Sequence, residues 1–257
     1  MIKFLLTGGT GRLGQELQKH LKVFAPTRAE LNIRWHYCDT DFFLNNAKKM
    51  EDIDTIIHCA AYTDVPGAEE NMHQAVESNI LGVQNVMQLA HDMEEFFDKH
   101  HIRVIYISSD YVYAGTAGNY KETDKTNPFN FYGFTKLAGE SYINKEKDLV
   151  IRTSFKPKGK WLYPKAFTDL YTSADYVDII AKEIALDAKS DIAGIINIGT
   201  ERKSIYDLAV RRTPNVGKMS RDEVSSVNMP VDISMNIDKF LEFKKSLGGK
   251  KNGRRKR

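Results

Sequence analysis

Three glycines, each three residues from the next, follow a short apolar segment at the start of this chain. The segment Lys3-Phe4-Leu5-Leu6 is too short for a helix and is typical of a buried strand. After it come Gly8, Gly11 and Gly14, and leucines at positions 13, 17 and 21 repeat with the period of a helix. A strand that turns through glycines into a helix lets backbone approach the pyrophosphate of a dinucleotide. This order of elements predicts a dinucleotide-binding turn, and the alternative is a glycine-rich turn that binds no ligand.

The second predicted strand, at residues 22–25, indicates which dinucleotide would bind. A site for NAD usually has an acidic residue at the end of this strand, beside the ribose 2′-hydroxyl. No acidic residue occurs between positions 22 and 29, where Thr27 and Arg28 stand instead. A guanidinium binds a phosphate through two parallel hydrogen bonds. The sequence therefore favours NADP(H) over NAD(H), although Glu30 would serve an NAD(H) site if the loop were displaced.

A tyrosine and a lysine four residues apart, Tyr132 and Lys136, form the second informative pattern. On a helix these two side chains share one face. A phenol has an ordinary pKa of about 10, and a nearby ammonium lowers that pKa. Ser109, which stands 23 residues before Tyr132, would supply a hydroxyl that holds a carbonyl or alcohol oxygen. Such pairs are usually ordinary surface residues, but with a serine they suffice to protonate or deprotonate a carbinol while a hydride moves.

Short apolar segments alternate with helical patterns over the first 155 residues. Strand-like segments cover residues 54–59, 103–107 and 149–151. This alternation predicts an α/β fold with a Rossmann-type doubly wound parallel sheet. Ligands of such sheets bind beyond the carboxyl ends of the strands, where the glycine turn, Ala60-Ala61-Tyr62 and Ser109 all stand. Three motifs are therefore expected at one edge of the sheet.

The predicted domains differ in size and charge. Residues 1–155 form an NAD(P)-binding domain to whose sheet residues 175–200 return, and residues 156–243 form a small C-terminal substrate-binding lobe. The tail at 244–257 has eight basic residues, no acidic residue and several glycines, and is expected to be disordered. Without this tail the net charge would change from +3 to −5. The tail is interpreted as a solubilising end or as a contact to nucleic acid or an anionic surface.

The composition is typical of a soluble globular protein, with 42% hydrophobic and 28% charged residues. No apolar run is long enough to span a bilayer, and no signal peptide is expected. Two cysteines, Cys38 and Cys59, suggest a reducing compartment, so a cytoplasmic protein is expected. Neither these cysteines nor the seven histidines have the spacing of metal ligands, and no metal site is expected.

These motifs together resemble the extended short-chain dehydrogenases/reductases, and within them the dTDP-4-dehydrorhamnose reductase group. The likeness is dense over residues 1–155 and thin afterwards. It is carried by the segments Thr7-Gly8-Gly9-Thr10-Gly11-Arg12-Leu13-Gly14, Ala60-Ala61-Tyr62-Thr63-Asp64-Val65, Ser109-Asp110-Tyr111-Val112-Tyr113, Pro128-Phe129-Asn130-Phe131-Tyr132-Gly133, Lys136-Leu137-Ala138-Gly139-Glu140 and Arg152-Thr153-Ser154.

The resemblance implies a role for each member of the serine, tyrosine and lysine set. Ser109 would orient a 4-keto oxygen, Tyr132 would donate the proton, and Lys136 would lower the tyrosine pKa and hold the nicotinamide ribose. Asn79 would be structural or part of a proton relay, and Asp39 would lie near the adenine. The substrate-binding residues implied are Asp110, Tyr111 and Phe155. The cofactor-binding residues expected are Gly8, Thr10, Gly11, Arg12, Leu13, Gly14, Thr27, Arg28, Asp39, Thr40, Ala60, Ala61, Tyr62, Tyr132 and Lys136.

The expected activity is NAD(P)H-dependent reduction of a nucleotide-linked 4-keto-6-deoxysugar, in a protein that is a possible homodimer. Phe155 stands where the family has a tryptophan, and the substrate lobe is shorter than usual. A dehydratase would need a second acid where this chain has Tyr111, which disfavours elimination of water. Two alternatives stay open. One is a nucleotide-sugar epimerase of the same superfamily, and the other is a non-catalytic NADP-binding regulator like the regulatory subunit of methionine adenosyltransferase.

Overall fold

A computed structural model of the chain describes residues 3–34, 40–224 and 230–253. Asp39, which was expected near the adenine, lies outside the described residues, and of Thr40 the backbone alone is described. In the part of the chain that is described, no helix is long and apolar enough to cross a membrane.

The strands and helices alternate over most of the chain. The strands are β1 (Phe4–Thr7), β2 (Val23–Phe24), β3 (Thr55–His58), β4 (Arg103–Ser109), β5 (Leu149–Thr153), β6 (Phe155–Lys156), β7 (Lys165–Phe167), β8 (Tyr171–Thr172), β9 (Asp175–Tyr176), β10 (Gly194–Ile198), β11 (Lys203–Ser204) and β12 (Gly217–Met219). The α-helices are α1 (Arg12–Leu17), α2 (Thr40–Met50), α3 (Val65–Glu70), α4 (Met72–Val76), α5 (Gly82–Phe96), α6 (Phe131–Glu140), α7 (Val177–Ala188), α8 (Ile205–Val210) and α9 (Asp238–Gly253). A π-helical turn covers Glu77–Leu81, and 3₁₀ turns cover Asp110–Val112 and Arg221–Glu223.

Among the described residues, six strands form a parallel sheet in the order β10-β5-β4-β3-β1-β2. The chain leaves β1 towards β2 and then crosses to the other side of β1 to form β3. The strand order therefore reverses between β1 and β3, and at such a point the loops diverge and leave a crevice at the carboxyl edge. The α/β fold with a doubly wound parallel sheet agrees with the sequence-based prediction, and β10 pairs with β5 in the segment expected to return to the sheet.

Side chains alternate between the two faces of the sheet because successive residues of a strand point to opposite sides. Leu6 and Ile105 pack on one face with α1, α7 and Phe240 of α9. Leu5 and Val104 pack on the other face with α2 and α5. The central strands are apolar in nearly every position because helices cover both faces.

A buried ion pair connects helix α6 to strand β5 of the central sheet. Glu140 accepts hydrogen bonds from Arg152 Nε at 3.0 Å and from Arg152 Nη2 at 2.7 Å, and both side chains are less than 5% exposed. Ser108 Oγ donates a third hydrogen bond to this carboxylate at 2.6 Å, and Arg152 also donates to Tyr113. Each buried polar group therefore has partners, as a stable buried pair requires.

The C-terminal lobe consists of short strand pairs rather than a second sheet. β6 pairs with β9, β7 pairs with β12, and β8 pairs with β11. Helix α8 begins at Ser204, whose side chain caps the helix together with Asp207. Segments of the lobe come before and after α7 and β10, so the lobe is anchored to the large sheet at several points.

A C-terminal helix covers part of the segment that was expected to be disordered from residue 244. Helix α9 continues without interruption from Asp238 to Gly253. Phe240 is buried against the sheet, and Lys244 forms an ion pair with Glu183 at 2.8 Å. Once a helix is anchored, each further residue adds a backbone hydrogen bond at low cost, which composition alone does not reveal.

Candidate active site

A cleft of about 620 Å³ opens at the carboxyl edge of the sheet. Its walls come from the glycine turn after β1, the loop after β2, the ends of β3 and β4, helix α6 and the segment from β5 to β6. The predicted site residues that line it are Gly8, Thr10, Gly11, Arg12, Leu13, Gly14, Arg28, Ala60, Ala61, Ser109, Tyr111, Tyr132, Lys136 and Phe155. Residues from separate parts of the sequence therefore meet in one cleft.

The glycine turn is shaped by close approach of backbone to backbone. Gly8 has a φ of +71°, which disfavours any residue with a side chain, and a Cβ there would lie 2.6 Å from the nitrogen of Ala60. A Cβ on Gly14 would lie 2.3 Å from the carbonyl oxygen of Gly8. The first glycine therefore lets the turn reach the end of β3, and the third lets α1 pack against the turn. The cleft wall between them is bare backbone, which suits a dinucleotide pyrophosphate.

Three arginines line the same end of the cleft: Arg12, Arg28 and Arg34. Arg34 is ion-paired with Glu77, whereas Arg28 is exposed. Arg34 was not predicted, because it lies in an irregular loop whose spacing gives no signal.

Two other residues near this end take local roles. The backbone nitrogen and the hydroxyl of Thr27 both donate to the Glu30 carboxylate, at 2.7 and 2.8 Å. These hydrogen bonds hold the pKa of Glu30 below its usual value. Neither residue is part of the cleft wall, so the predicted contact of Thr27 with the cofactor is not apparent, and the carboxylate of Glu30 is engaged with its own turn.

Ser109, Tyr132 and Lys136 come together where β4 ends and α6 begins. The side chain of Asn130 caps α6 by accepting from the nitrogen of Gly133 at 2.7 Å. A Cβ on Gly133 would lie 2.2 Å from the carbonyl oxygen of Tyr111, so glycine allows the first turn of α6 to approach the turn that follows Ser109. This approach brings Tyr132 and Ser109 to the same cleft, which both residues line.

The pKa of Tyr132 differs from the expectation. Burial raises it to about 12 in total, with Ser109 opposing the rise and Asp110 adding to it. Lys136 is not among the groups that shift this pKa, and its Nζ lies 4.3 Å from the centroid of the Tyr106 ring. Burial lowers the pKa of Lys136 itself to about 7. In this arrangement Tyr132 stays protonated at neutral pH, which is the form that can donate a proton.

Asn79 has a structural role in this arrangement. Its Oδ1 accepts from the nitrogen of Tyr62 at 2.8 Å, and its Nδ2 donates to the carbonyl of Tyr62 and to Thr135 Oγ1, both at 3.0 Å. Both amide protons are therefore used. Asn79 joins the loop after β3 to helix α6 from a π-helical turn, and Tyr62, which was expected to contact the cofactor, does not line the cleft.

The three predicted substrate-binding residues are placed differently from one another. Tyr111 and Phe155 line the cleft, and the Tyr111 ring lies edge-on to Tyr132 with ring centroids 5.9 Å apart. Asp110 is 1% exposed and is not part of the cleft wall. Lys156, next to Phe155, lines the cleft and was not predicted. A single lysine after a strand carries no sequence signal that would have found it.

Comparison with known families accounts for this combination of fold and site. The sequence pattern of the RmlD substrate binding domain family matches residues 2–184. The chain belongs to this family. The match covers the sheet as far as α7 and includes every predicted catalytic residue.

Individual relatives extend the comparison. A dTDP-4-dehydrorhamnose reductase of Aggregatibacter actinomycetemcomitans is 32% identical over 208 residues, which are 76% of this chain and 66% of that enzyme. The beta subunit of methionine adenosyltransferase 2 of Xenopus tropicalis is 32% identical over 157 residues, which are 58% of this chain and 45% of that subunit. The chain thus spans less than two thirds of the length of either relative.

Solved structures of the family superpose over almost the whole chain. A hypothetical dTDP-4-dehydrorhamnose reductase of Sulfolobus tokodaii has a TM-score of 0.77 and 27% identity, and the match covers 94% of each chain. A dTDP-4-dehydrorhamnose reductase of Bacillus anthracis, solved with NADP, has a TM-score of 0.75 and 24% identity over 93% of this chain and 92% of that one. The C-terminal lobe is therefore a feature of the fold in this family.

Proposed function

We propose that this protein is an NADPH-dependent reductase of a nucleotide-linked 4-keto-6-deoxysugar. The observation that carries the proposal is the convergence of Ser109, Tyr132 and Lys136 on the cleft that the glycine turn also lines. These three residues supply a hydroxyl, a protonated phenol and an amine beside the dinucleotide-binding turn. This set of groups is suited to reduction of a ketone. Family membership and the reductases among the relatives support the same reaction.

The cleft fits NADP(H) in two places. The bare backbone around Gly8 would accept the pyrophosphate, and the exposed guanidinium of Arg28 would bind the 2′-phosphate. The carboxylate of Glu30, which an NAD(H) site would use, is engaged with Thr27. The solved relative with NADP supports this choice, and NAD(H) is the second candidate cofactor. When bound, the cofactor supplies the hydride.

The proton would come from Tyr132. Ser109 would hold the ketone oxygen at the phenol, and the raised pKa of Tyr132 keeps the phenol protonated until charge develops on that oxygen. Lys136, whose pKa burial lowers to about 7, would hydrogen-bond the nicotinamide ribose. Tyr111 and Phe155 would offer ring faces to the sugar.

The decisive experiment is to mix the purified full chain with NADPH and a dTDP- or UDP-linked 4-keto-6-deoxyhexose and to follow absorbance of the reduced nicotinamide. We expect oxidation by the wild type and none by Tyr132→Phe. Tight NADPH binding without oxidation of any such substrate would instead favour the regulatory role, which the likeness to the Xenopus subunit supports. Interconversion of a nucleotide sugar at C4 without net change in the cofactor would favour the epimerase.

Arg28→Ala tests the choice of cofactor, with Lys22→Ala as the control because Lys22 is exposed outside the cleft. Loss of a charge-assisted hydrogen bond of about 1.5–3 kcal/mol should weaken NADPH binding about tenfold or more. NADH affinity should change little, and Lys22→Ala should leave both affinities as they are. Equal NADPH affinity in Arg28→Ala and the wild type would remove the 2′-phosphate role.

The remaining sequence-based predictions concern partners and location. A homodimer, a cytoplasmic location and a contact of the basic C-terminal residues with nucleic acid or an anionic surface stay predictions. Sedimentation of the full chain and its binding to a DNA duplex at two salt concentrations would test the first and last of these.

A further inference from the structure

Lys156 is a partly buried lysine in the wall of the cleft. It belongs to β6, which follows β5 and pairs with β9 rather than with the central sheet. In the part of the chain that is described, no hydrogen bond or ion pair joins its ammonium to an acceptor. An ammonium is a donor of three hydrogen bonds, and leaving it partly buried without an acceptor costs free energy. An anionic group of a ligand in the cleft would supply the missing acceptor.

The neighbours of Lys156 along the chain show which part of the cleft it occupies. Before it, Thr153 at the end of β5 is in register with Ser109 at the end of β4, and both residues line the cleft. After it, the Nζ of Lys158 lies 3.8 Å from Oε1 of Glu16 on helix α1. Helix α1 directly follows the glycine turn. Lys156 therefore stands between Ser109 and the helix that continues from the glycine turn.

These two ends indicate which part of the cofactor would lie beside Lys156. The bare backbone around Gly8 would accept the pyrophosphate, and Ser109 and Tyr132 would face the ketone and the nicotinamide. Between them comes the phosphate on the nicotinamide side, because the phosphate on the adenosine side leads towards Arg28. This phosphate is anionic near neutral pH, so it matches the unpaired ammonium.

The other cations at the dinucleotide end of the cleft leave room for this role. Arg34 is ion-paired with Glu77, and Arg28 would bind the 2′-phosphate. Arg12, the first residue of α1, is exposed beside the glycine turn. A pyrophosphate is doubly anionic, whereas the backbone of the glycine turn offers hydrogen bonds without net charge. Lys156 therefore adds a second cation to Arg12, from the wall that β6 forms.

Asp110 does not take the place of such a ligand. This carboxyl is 1% exposed, is not part of the cleft wall, and accepts a hydrogen bond from Ser109 Oγ at 3.2 Å. Burial lowers the pKa of Lys156, and the charge of Asp110 opposes that shift without an ion pair between the two. A phosphate in the cleft would favour the charged lysine through the same attraction.

We propose that Lys156 binds the phosphate on the nicotinamide side of the cofactor pyrophosphate; this rests on the NADP(H) dependence of the proposed function. The ammonium donates a charge-assisted hydrogen bond to an oxygen of that phosphate. NADPH and NADH share this phosphate, so Lys156 contributes to the affinity for both, whereas Arg28 contributes to the choice between them.

The first test measures ligand affinities of the full chain by calorimetry and needs no sugar substrate. Lys156→Met should weaken binding of NADPH, NADH and 2′-phospho-ADP-ribose about tenfold or more, because each contains the pyrophosphate. Adenosine 2′,5′-bisphosphate lacks the second phosphate and should bind as it does to the wild type. Lys156→Arg keeps the charge and should retain most of the affinity. Lys160→Met is the matched control, since Lys160 is an exposed lysine of the same segment outside the cleft, and it should change none of these affinities.

Three results would overturn the inference. The first is an unchanged affinity of Lys156→Met for NADPH and NADH. The second is a loss for NADPH without a loss for 2′-phospho-ADP-ribose, because the contact would then be with the nicotinamide. The third is an equal loss for adenosine 2′,5′-bisphosphate, which would place the contact at the adenosine side. A raised KM for the nucleotide sugar with unchanged cofactor affinity would assign Lys156 to the substrate instead.

A second measurement uses the wild-type chain and no variant. Lysines are modified by reductive methylation with and without 2′-phospho-ADP-ribose, and the modified peptides are quantified by mass spectrometry. The ligand should protect Lys156 and leave Lys160 equally reactive, and equal modification of Lys156 in both samples would contradict the contact. Tight NADPH binding with protection of Lys156, but without turnover of any 4-keto sugar, would refute the proposed reductase and leave the pyrophosphate contact supported.

Discussion

The two ends of the central sheet each hold a buried carboxyl whose pKa burial raises to about 7. Asp110 follows β4 at the carboxyl edge, and Asp187 lies in the last turn of α7, near Arg103 at the opposite edge. Asp110 accepts a hydrogen bond from Ser109 Oγ at 3.2 Å, and the charge of Lys156 acts on it. Among the described residues, neither oxygen of Asp187 has a hydrogen-bond partner. The same perturbation therefore occurs in a connected site and in an isolated one.

The difference teaches that a raised pKa does not identify a functional group by itself. Burial penalises the charged form wherever a carboxyl leaves water. What distinguishes Asp110 is a hydrogen bond from Ser109, a residue that lines the cleft. Asp187 has no such contact, and the electrostatic neighbours that act on it are Glu183, Arg103 and Lys244.

The largest expected effect is at the connected end. Tyr132→Phe removes the proton donor and should lower turnover of the 4-keto sugar about a hundredfold or more. NADPH affinity and the midpoint of thermal unfolding should stay close to those of the wild type, because the ring still packs against Tyr111. Turnover, cofactor binding and unfolding are measured on the same preparation. Retained turnover would mean that the phenol is not the donor.

Glu140 is a third buried carboxyl and extends the comparison, because it accepts hydrogen bonds from Arg152 and Ser108. Arg152→Met would leave Glu140 buried with Ser108 alone and should destabilise the protein by about 3–5 kcal/mol. Urea unfolding monitored by fluorescence measures this loss. Arg202→Met is the control, since Arg202 pairs with Asp232 while itself 49% exposed, and its loss should cost about 1 kcal/mol or less.

Substitution of Asp187, at the isolated end of the sheet, should change the stability of the protein and leave turnover unchanged. The folded-state pKa of Asp187 lies above its unfolded value, so the stability it contributes is complete below about pH 4 and is lost as pH rises through about 7. Asp187→Asn should therefore stabilise the protein at pH 8 relative to pH 4, by about 4 kcal/mol at most for a shift of this size. Urea unfolding at the two pH values measures the difference. Equal effects at both pH values, or a loss of turnover, would contradict the isolated role.

The smallest effect is expected for Thr135, whose side chain links Asn79 to helix α6. Thr135→Val removes the acceptor of one Asn79 proton and should cost about 1 kcal/mol of stability. Turnover should stay within about twofold, because the link positions α6 without carrying protons. A drop as large as that of Tyr132→Phe would return Asn79 to the proton pathway.

Much of the site could be predicted because it depends on local patterns. Gly8 and Gly14 follow an apolar strand and precede a helix, and Tyr132 and Lys136 share a helix face at any depth in the protein. Strand ends then place Ser109 at the same edge as the glycine turn, since all strands of the sheet are parallel. The raised pKa of Tyr132 was not predicted, because it depends mainly on burial.

The sequence by itself determined the parallel sheet, the edge at which ligands bind and the identity of the serine, tyrosine and lysine, because spacing along strands and helices is a local property. The tertiary structure alone decided which charges surround them. Lys156 and Asp110 meet through the pairing of β6 with β9 and the turn after β4, and Arg34 reaches the cleft from an irregular loop. Helix α9 likewise extends past residue 244 because Phe240 and Lys244 find partners on the sheet face and on α7. Burial and charge depend on contacts between segments distant in sequence, and no local pattern contains them.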